Sequence, residues 1–408
     1  MQTNLAPEYS NTADGKAAEA ILRKCVHCGF CTATCPTYQL LGNELDGPRG
    51  RIYLVKQVLE GHAPTRETQL HLDRCLTCRN CESTCPSGVN YGQLVDIGRK
   101  LVDAKVQRPA PERAIRWALK QGLTSPIFAP AMKVGQSLRP LLPTAIQNKV
   151  PVEQSAGRLP KQSHARKVLM LEGCVQPAMS PNINSATRRV LDAAGIETII
   201  AAKAGCCGAV KFHLNDQGGG KAQMRANIDA WWPLVASHKV EAIVMNASGC
   251  GVMVKEYAHH LHDDPLYAAK AQRVSELTKD LSELLPAMVT ELKSKVNVKK
   301  AQQITFHPPC TLQHGQQLRG AVEQHLGELG FNIKTVSCEA HLCCGSAGTY
   351  SVLQADLAYQ LRDRKLGHIA AMKPDVIVSA NIGCITHLQS GTATPVKHWV
   401  EVLDEALT

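Results

Sequence analysis

Cys25-Val-His-Cys28-Gly-Phe-Cys31-Thr-Ala-Thr-Cys35-Pro36 and Cys75-Leu-Thr-Cys78-Arg-Asn-Cys81-Glu-Ser-Thr-Cys85-Pro86 are two copies of one pattern, C-x2-C-x2-C-x3-C-P. In this run, three cysteines hold one 4Fe-4S cluster and the fourth reaches across to the other. The spacing has a chemical reason. Three thiolates two residues apart wrap a tight loop around one face of a cube of iron and sulfide. The fourth sits on the segment leaving the loop, and the proline helps to fix its exit. The expected ligand sets are therefore Cys25, Cys28, Cys31 and Cys85 for one cluster, and Cys75, Cys78, Cys81 and Cys35 for the other. A chain with two such clusters is expected to move electrons.

Two other readings compete. Structural zinc sites also use C-x2-C pairs, but two consecutive x2 spacings and an x3 closed by Cys-Pro, twice over, are foreign to them. Disulfides fit worse, because the spacing is tight and the chain has seventeen cysteines, an odd number.

Outward from the two motifs, 39 residues lie between Cys35 and Cys75, more than the short connection of a small two-cluster protein. Ile52, Val55 and Leu59 recur at helical spacing after Pro48, and Gly61 follows as a stop. Leu94, Ile97, Leu101 and Val102 mark a second helix over 90–104. The first unit, 1–104, is thus expected to be a mostly helical two-cluster domain.

Residues 166–408 hold an internal repeat. One half has VLMLEGC ending at Cys174, AGCCG around Cys206-Cys207-Gly208, and AIVMNASGC ending at Cys250. The other has ITFHPPC ending at Cys310, HLCCG around Cys343-Cys344-Gly345, and VIVSANIGC ending at Cys384. Val168–Leu171, Ala242–Met245 and Val376–Ser379 read as buried strands. Ser185–Ala194 and Asp356–Ala371 read as helices between strands. The expected units are 166–300 and 301–408, each a parallel α/β module with its cysteines at the carboxyl ends of the strands. The fold class is α+β multidomain: a helical two-cluster domain followed by two pseudo-repeated α/β cysteine-rich modules. One such cysteine would read as a small buried hydrophobe. Two sets of four in matching order read as ligands for a further iron–sulfur cluster or zinc: Cys310, Cys343, Cys344 and Cys384 in the second module, and more weakly Cys174, Cys206, Cys207 and Cys250 in the first.

The net charge is +10, and it is local. Between Lys105 and Met170 twelve lysines and arginines face two glutamates. Segment 105–165, basic and proline-containing, is read as a linker with a solvated face or as a docking surface for a partner subunit or an anionic membrane. No nucleic-acid motif accompanies the charge. The opening residues lack an apolar leader core, and no run of about 18 apolar residues appears. No G-x-G-x-x-G or G-x-S-x-G is present, and Gly218-Gly219-Gly220-Lys221 lacks P-loop spacing. No catalytic residue is therefore expected in this chain. His27 is expected to tune a cluster rather than ligate it. Metal at His259, His260 and His262 is disfavoured. Trp231 and Trp232 are read as core or interface anchors.

The two-cluster motif followed by two Cys…Cys-Cys-Gly…Cys modules resembles the iron–sulfur subunits of membrane-associated dehydrogenases. These include the iron–sulfur subunits of glycolate oxidase, anaerobic glycerol-3-phosphate dehydrogenase and lactate utilisation systems, and the cysteine-rich subunit of heterodisulfide reductase. Cys25–Cys31, Cys35-Pro-Thr-Tyr38, Gly42 to Glu44 and Asp46-Gly-Pro-Arg-Gly-Arg-Ile52 look most like the glycolate oxidase (glycolate dehydrogenase) iron–sulfur subunit. The resemblance implies an oxidoreductase subunit with two 4Fe-4S clusters. Flavoprotein subunits of the same complex would oxidise glycolate to glyoxylate, and this chain would relay the electrons to a quinone or other membrane acceptor. It further implies a cytoplasmic place, peripheral on the inner face of the cytoplasmic membrane. One departure stands out. The modules of heterodisulfide reductase end in C-x2-C, whereas here the pairs are Cys250…Met253 and Cys384…His387. This argues against the five-thiolate non-cubane cluster and disulfide-reductase activity. Cys338 and His387 are extra donors that favour the second module.

Overall fold

The computed structural model describes residues 1–143, 147, 150–298 and 301–408; Lys149 and the expected module boundary at residue 300 fall outside them. The N-terminal part is built of helices, chiefly Ala13–Lys24, Pro48–Leu59, Arg66–Asp73 and Tyr91–Lys105. Their starts follow from sequence. The Thr12 side chain caps the first, Pro48 opens the second, and Thr65 with Thr68 forms a capping box on the third. Ile52, Val55, Val58 and Leu59 bury one face against Ile21, Leu22, Leu94, Val95 and Val102. Each such side chain contributes about 1.5–3 kcal/mol on burial. Gly98 permits the close approach of the two long helices, since a Cβ there would lie 2.4 Å from Val55 Cγ2.

The rest holds two four-stranded sheets, all parallel. Strands β1 Arg166–Met170, β2 Ile196–Ile199, β3 Ala242–Met245 and β4 Thr278–Asp280 are ordered 2-1-3-4. Strands β5 Gln303–Phe306, β6 Asn332–Thr335, β7 Val376–Ser379 and β8 Val396–His398 are ordered 6-5-7-8, the same arrangement. The expected strands over 168–171, 242–245 and 376–379 match β1, β3 and β7. In each sheet the chain crosses to opposite sides after the first strand, which makes the gap between β1 and β3, or β5 and β7, a switch point where side chains from loops converge. The two sheets share one core, in which Val168, Val190 and Met288 pack with Ile304, Trp399 and Leu403. Trp231 is fully buried in the first module; Lys270 lies over the half-buried Trp232 ring.

The basic segment is not a free linker. Its helix Ala110–Gly122 is anchored by two of its own cations, Arg108 and Arg116, which meet the buried Asp73 at 3.0 and 3.1 Å. Those charges are internal. Its neighbour Phe128–Ser137 leans on the first module, where the Gln136 amide donates to Ala178 O.

Glu401 gives this fold a pH dependence. The carboxylate accepts from His398 N at 2.6 Å and from the Asn182 amide. Burial, opposed by the His398 N–H, pushes it up to about 7 from 4.5. The folded carboxyl holds its proton where the unfolded one has lost it, so stability falls as pH rises from about 4.5 to 7. Glu401→Gln keeps the cap and removes the titration. Between pH 5 and pH 8 the variant should gain about 2 kcal/mol relative to the parent, read from urea midpoints; an unchanged difference would reject this.

Candidate metal centres

Both cysteine runs fold into loops with the same backbone. Residues two and four after the first cysteine are left-handed: His27 (φ 57°) and Gly29 (φ 85°) in one, Thr77 (φ 52°) and Arg79 (φ 59°) in the other. Glycine adopts this at no cost, but a β-branched threonine is strained there. Other groups hold the strained loop. The Thr77 hydroxyl accepts from Arg99, and Arg79 pairs with Glu256 of the first module through both guanidinium nitrogens.

The loops exchange their fourth cysteines. One cleft is lined by Cys25, Cys28, Cys31 and Cys85, with Cys81 at its edge. A second is lined by Cys35, Cys75, Cys78 and Cys81. The first is the more open, for Cys28 is exposed and Cys75 and Cys81 are buried. Burial and the neighbouring Cys25 push the Cys31 thiol up to about 11. Burial likewise pushes Cys78 and Cys81 up. Thiolates gathered there are unfavourable without a cation among them, a condition that an iron–sulfide core meets. Four convergent thiols in each cleft therefore fit the expected cofactor.

Cys75 is the exception. Burial alone would raise it, but Arg51, Arg99, the Thr77 N–H and the Tyr91 hydroxyl outweigh burial and hold it low. The Thr77 N–H donates to Cys75 Sγ at 3.4 Å and Tyr91 Oη at 3.6 Å. Arg51 is buried at 1% exposure. It donates to His71 O at 2.7 Å and to Thr37 Oγ1 at 3.2 Å, and its guanidinium stands 3.6 Å from Asp46. Asp46 also takes His71 Nδ1 and Arg74, each at 3.0 Å. The stretch Asp46–Ile52 is thus the cationic back wall of the second cleft. Sequence reading quoted it without finding that role.

The second cleft also faces the second module. Leu76 and Cys78 pack with Cys310, Cys343 and Tyr350. Tyr350 Oη donates to Arg74 O, the Asn80 amide to His341 O, and Ser83 meets His314 Nδ1 at 2.8 Å.

Within the modules the cysteines sit as expected beyond the strand ends. The glycine of each Cys-Cys-Gly has a positive φ, and a Cβ on Gly345 would stand 2.4 Å from Ala358 O, on Gly208 2.9 Å from Gly220 O. Only glycine lets this loop press against the next helix. In the first module the thiols run neighbour to neighbour, and hydrogen bonds from Cys174 and Cys207 favour the Cys206 thiolate. In the second, Cys310 donates to Cys343 at 3.8 Å. Here the donors close up: ligand atoms of His307, Cys344 and Cys384 lie within 4.8 Å of one another, all three residues buried. Sequence reading missed His307, whose signal was a histidine at the end of an apolar strand, three residues before Cys310. The two extra donors it favoured lie elsewhere. Cys338 is exposed, and His387 Nε2 donates to Ala358 O while its ring stacks on Tyr359. His27 Nε2 lies 2.9 Å from Met1 Sδ. His259 and His262 stack on each other, and His260 packs on Phe212.

A family model of the 4Fe-4S dicluster domain matches residues 21–89, and one of the cysteine-rich domain matches twice, at 168–255 and 304–389. The chain is 56% identical to the glycolate oxidase iron-sulfur subunit of Escherichia coli (strain K12), over 100% of this chain and 99% of that one. It belongs to the glycolate oxidase iron–sulfur subunit family. A probable glycolate oxidase iron-sulfur subunit of Bacillus subtilis (strain 168) is 30% identical over 94% of the chain and 92% of its own length. Lactate utilization protein A of Bacillus velezensis is 28% identical over 58% of this chain and 99% of its own length. Membership of the glycolate oxidase iron–sulfur subunit family makes the chain an iron–sulfur electron-transfer subunit of an oxidoreductase.

Proposed function

We propose that this chain carries electrons within a glycolate-oxidising complex, from flavoprotein partner subunits that convert glycolate to glyoxylate to a quinone or other membrane acceptor. The observation that carries the reading is the crossed pairing of the two cysteine runs. Cys25, Cys28, Cys31 and Cys85 would hold one 4Fe-4S cluster, and Cys75, Cys78, Cys81 and Cys35 the other. Such a cluster, when bound, takes up and gives back one electron at a potential set by charge, hydrogen bonds and solvent exposure. The protein's part is to set those terms. Arg51, Arg99 and the donors on Cys75 place positive charge and hydrogen bonds behind the second set, while the first set opens to solvent beside the exposed Val26 and Phe30. An exposed first set suits exchange with a partner subunit. A further metal belongs to the second module.

Glycolate is preferred over lactate or glycerol phosphate because the full-length likeness is to glycolate oxidase subunits, whereas the lactate protein aligns with little more than half of the chain. A disulfide reductase is disfavoured by Met253 and His387 standing where a fifth thiol would be. Peripheral attachment has a surface to serve it. Among the described residues no helix is long and apolar enough to cross a membrane. Yet among the described residues eight of the fourteen large apolar side chains that are exposed lie between Ile115 and Leu159, among them Trp117, Ile127 and Leu141. With the exposed Arg113 and Lys133 they make this segment basic and apolar at its surface, the composition that an anionic bilayer attracts.

The test is purification without air, followed by iron, sulfide and zinc counts and EPR of the reduced chain. About eight irons and two interacting 4Fe-4S signals are expected, with no glycolate oxidation until flavoprotein subunits are added. Zinc without iron would overturn the relay.

A further inference from the structure

His307 follows β5 directly, and it is 1% exposed with neither ring nitrogen hydrogen-bonded. A buried imidazole without partners is unfavourable. What it does face are two thiols, Cys344 and Cys384, in the one compact donor group among the described residues. The spacing selects the ligand. Around a tetrahedral zinc, with bonds of about 2.3 Å to sulfur and about 2.0 Å to nitrogen, donor atoms stand roughly 3.5–4 Å apart. A four-iron cube spreads its cysteines over separate corners, and the eight cysteines of the two runs form no such compact group.

We propose that the second module holds a single metal ion, zinc by the chemistry of its donors, on His307, Cys344 and Cys384; Cys343 stands outside that group, its thiol meeting Cys310 at 3.8 Å. This rests on the reading that the second module takes metal, and not on the electron relay. Two thiolates and one neutral imidazole leave such a zinc site with no net charge. Beside it the buried Lys365 donates to Glu339 O.

The first module lacks the site for a definite reason. His307 N donates to Val378 O on the adjacent strand, and Leu171 N donates to Val244 O at the matching rung. Leu171 therefore occupies the place of His307, and the first module's four thiols form no compact group.

The test uses the full chain, purified without air, and the metals alone as probes. The wild-type chain should carry one zinc beside its irons. Cobalt(II) in its place should show thiolate charge-transfer bands and tetrahedral d–d bands. His307→Leu, which installs the first module's residue, should lose zinc and weaken cobalt binding more than tenfold with iron unchanged. His307→Cys should keep the ion and move the cobalt bands toward an all-thiolate set, which covers the case of a leucine variant that does not fold. Four extra irons in place of zinc would overturn the proposal, as would cobalt bands in both variants identical to wild type. Zinc present with iron absent would uphold this site and sink the relay.

Discussion

Cys28→Ser protein, purified without air, is expected to lose the irons of the first set and to stop electron delivery to quinone. The mixed flavoprotein partners should still bleach their own flavin with glycolate at the normal rate. Cys28 is exposed, so a serine there perturbs little packing, and the folded chain should survive with about four irons. Serine keeps the shape and removes the soft thiolate that iron prefers. The result separates two functions that a complex normally shows together, substrate oxidation and electron exit. If quinone reduction continued at full rate with those irons gone, the first set would lie off the route and the relay would be wrong.

Arg51→Met should do the reverse at the other site. The side chain is about as long, but it takes a buried guanidinium from behind Cys35 and Cys75 and leaves His71 O and Thr37 Oγ1 without that donor. Removing one side of a buried charged network costs about 3–5 kcal/mol. The thiol held low by that charge, Cys75, would then be pushed upward by its burial. We expect loss of the second set's irons, collapse of the interacting EPR signal to that of one isolated cluster, and no quinone reduction. Arg51→Lys keeps the charge without the planar fork and should retain part of the iron. Full iron in the methionine variant would mean that the back wall is structural only.

How much of this was legible in the sequence depends on how local each feature is. The cysteine runs could be read because their spacing within eleven residues already encodes the loop. The strands β1, β3 and β7 could be read because a strand covered on both faces is apolar throughout. Their partners could not: Asn332–Thr335 and Thr278–Asp280 carry Asn, Lys, Thr and Asp. The repeat placed the module cysteines correctly, since both copies keep nearly the same offsets. Arg51 and His307 were missed for one physical reason. A charge in a string of residues looks solvated until its burial is known, and His307 meets Cys384 only through a strand pairing across 77 residues. Counting charges along the basic segment could not show that two of them, Arg108 and Arg116, are spent internally on Asp73.

The unequal support of the two loops bears on how the protein is made. The first loop turns at His27 and Gly29, and its cleft is completed by residues up to Tyr91, Cys85 among them. The second turns at Thr77 and Arg79, and its braces arrive late: Glu256, His341 and Tyr350 lie far downstream. On the ribosome the first pocket is expected to be complete once the chain has emerged past Tyr91, whereas the second is not walled until His341 and Tyr350 have followed and docked. The expected consequence is an order of maturation, the first set open to cofactor insertion during synthesis and the second waiting for the modules.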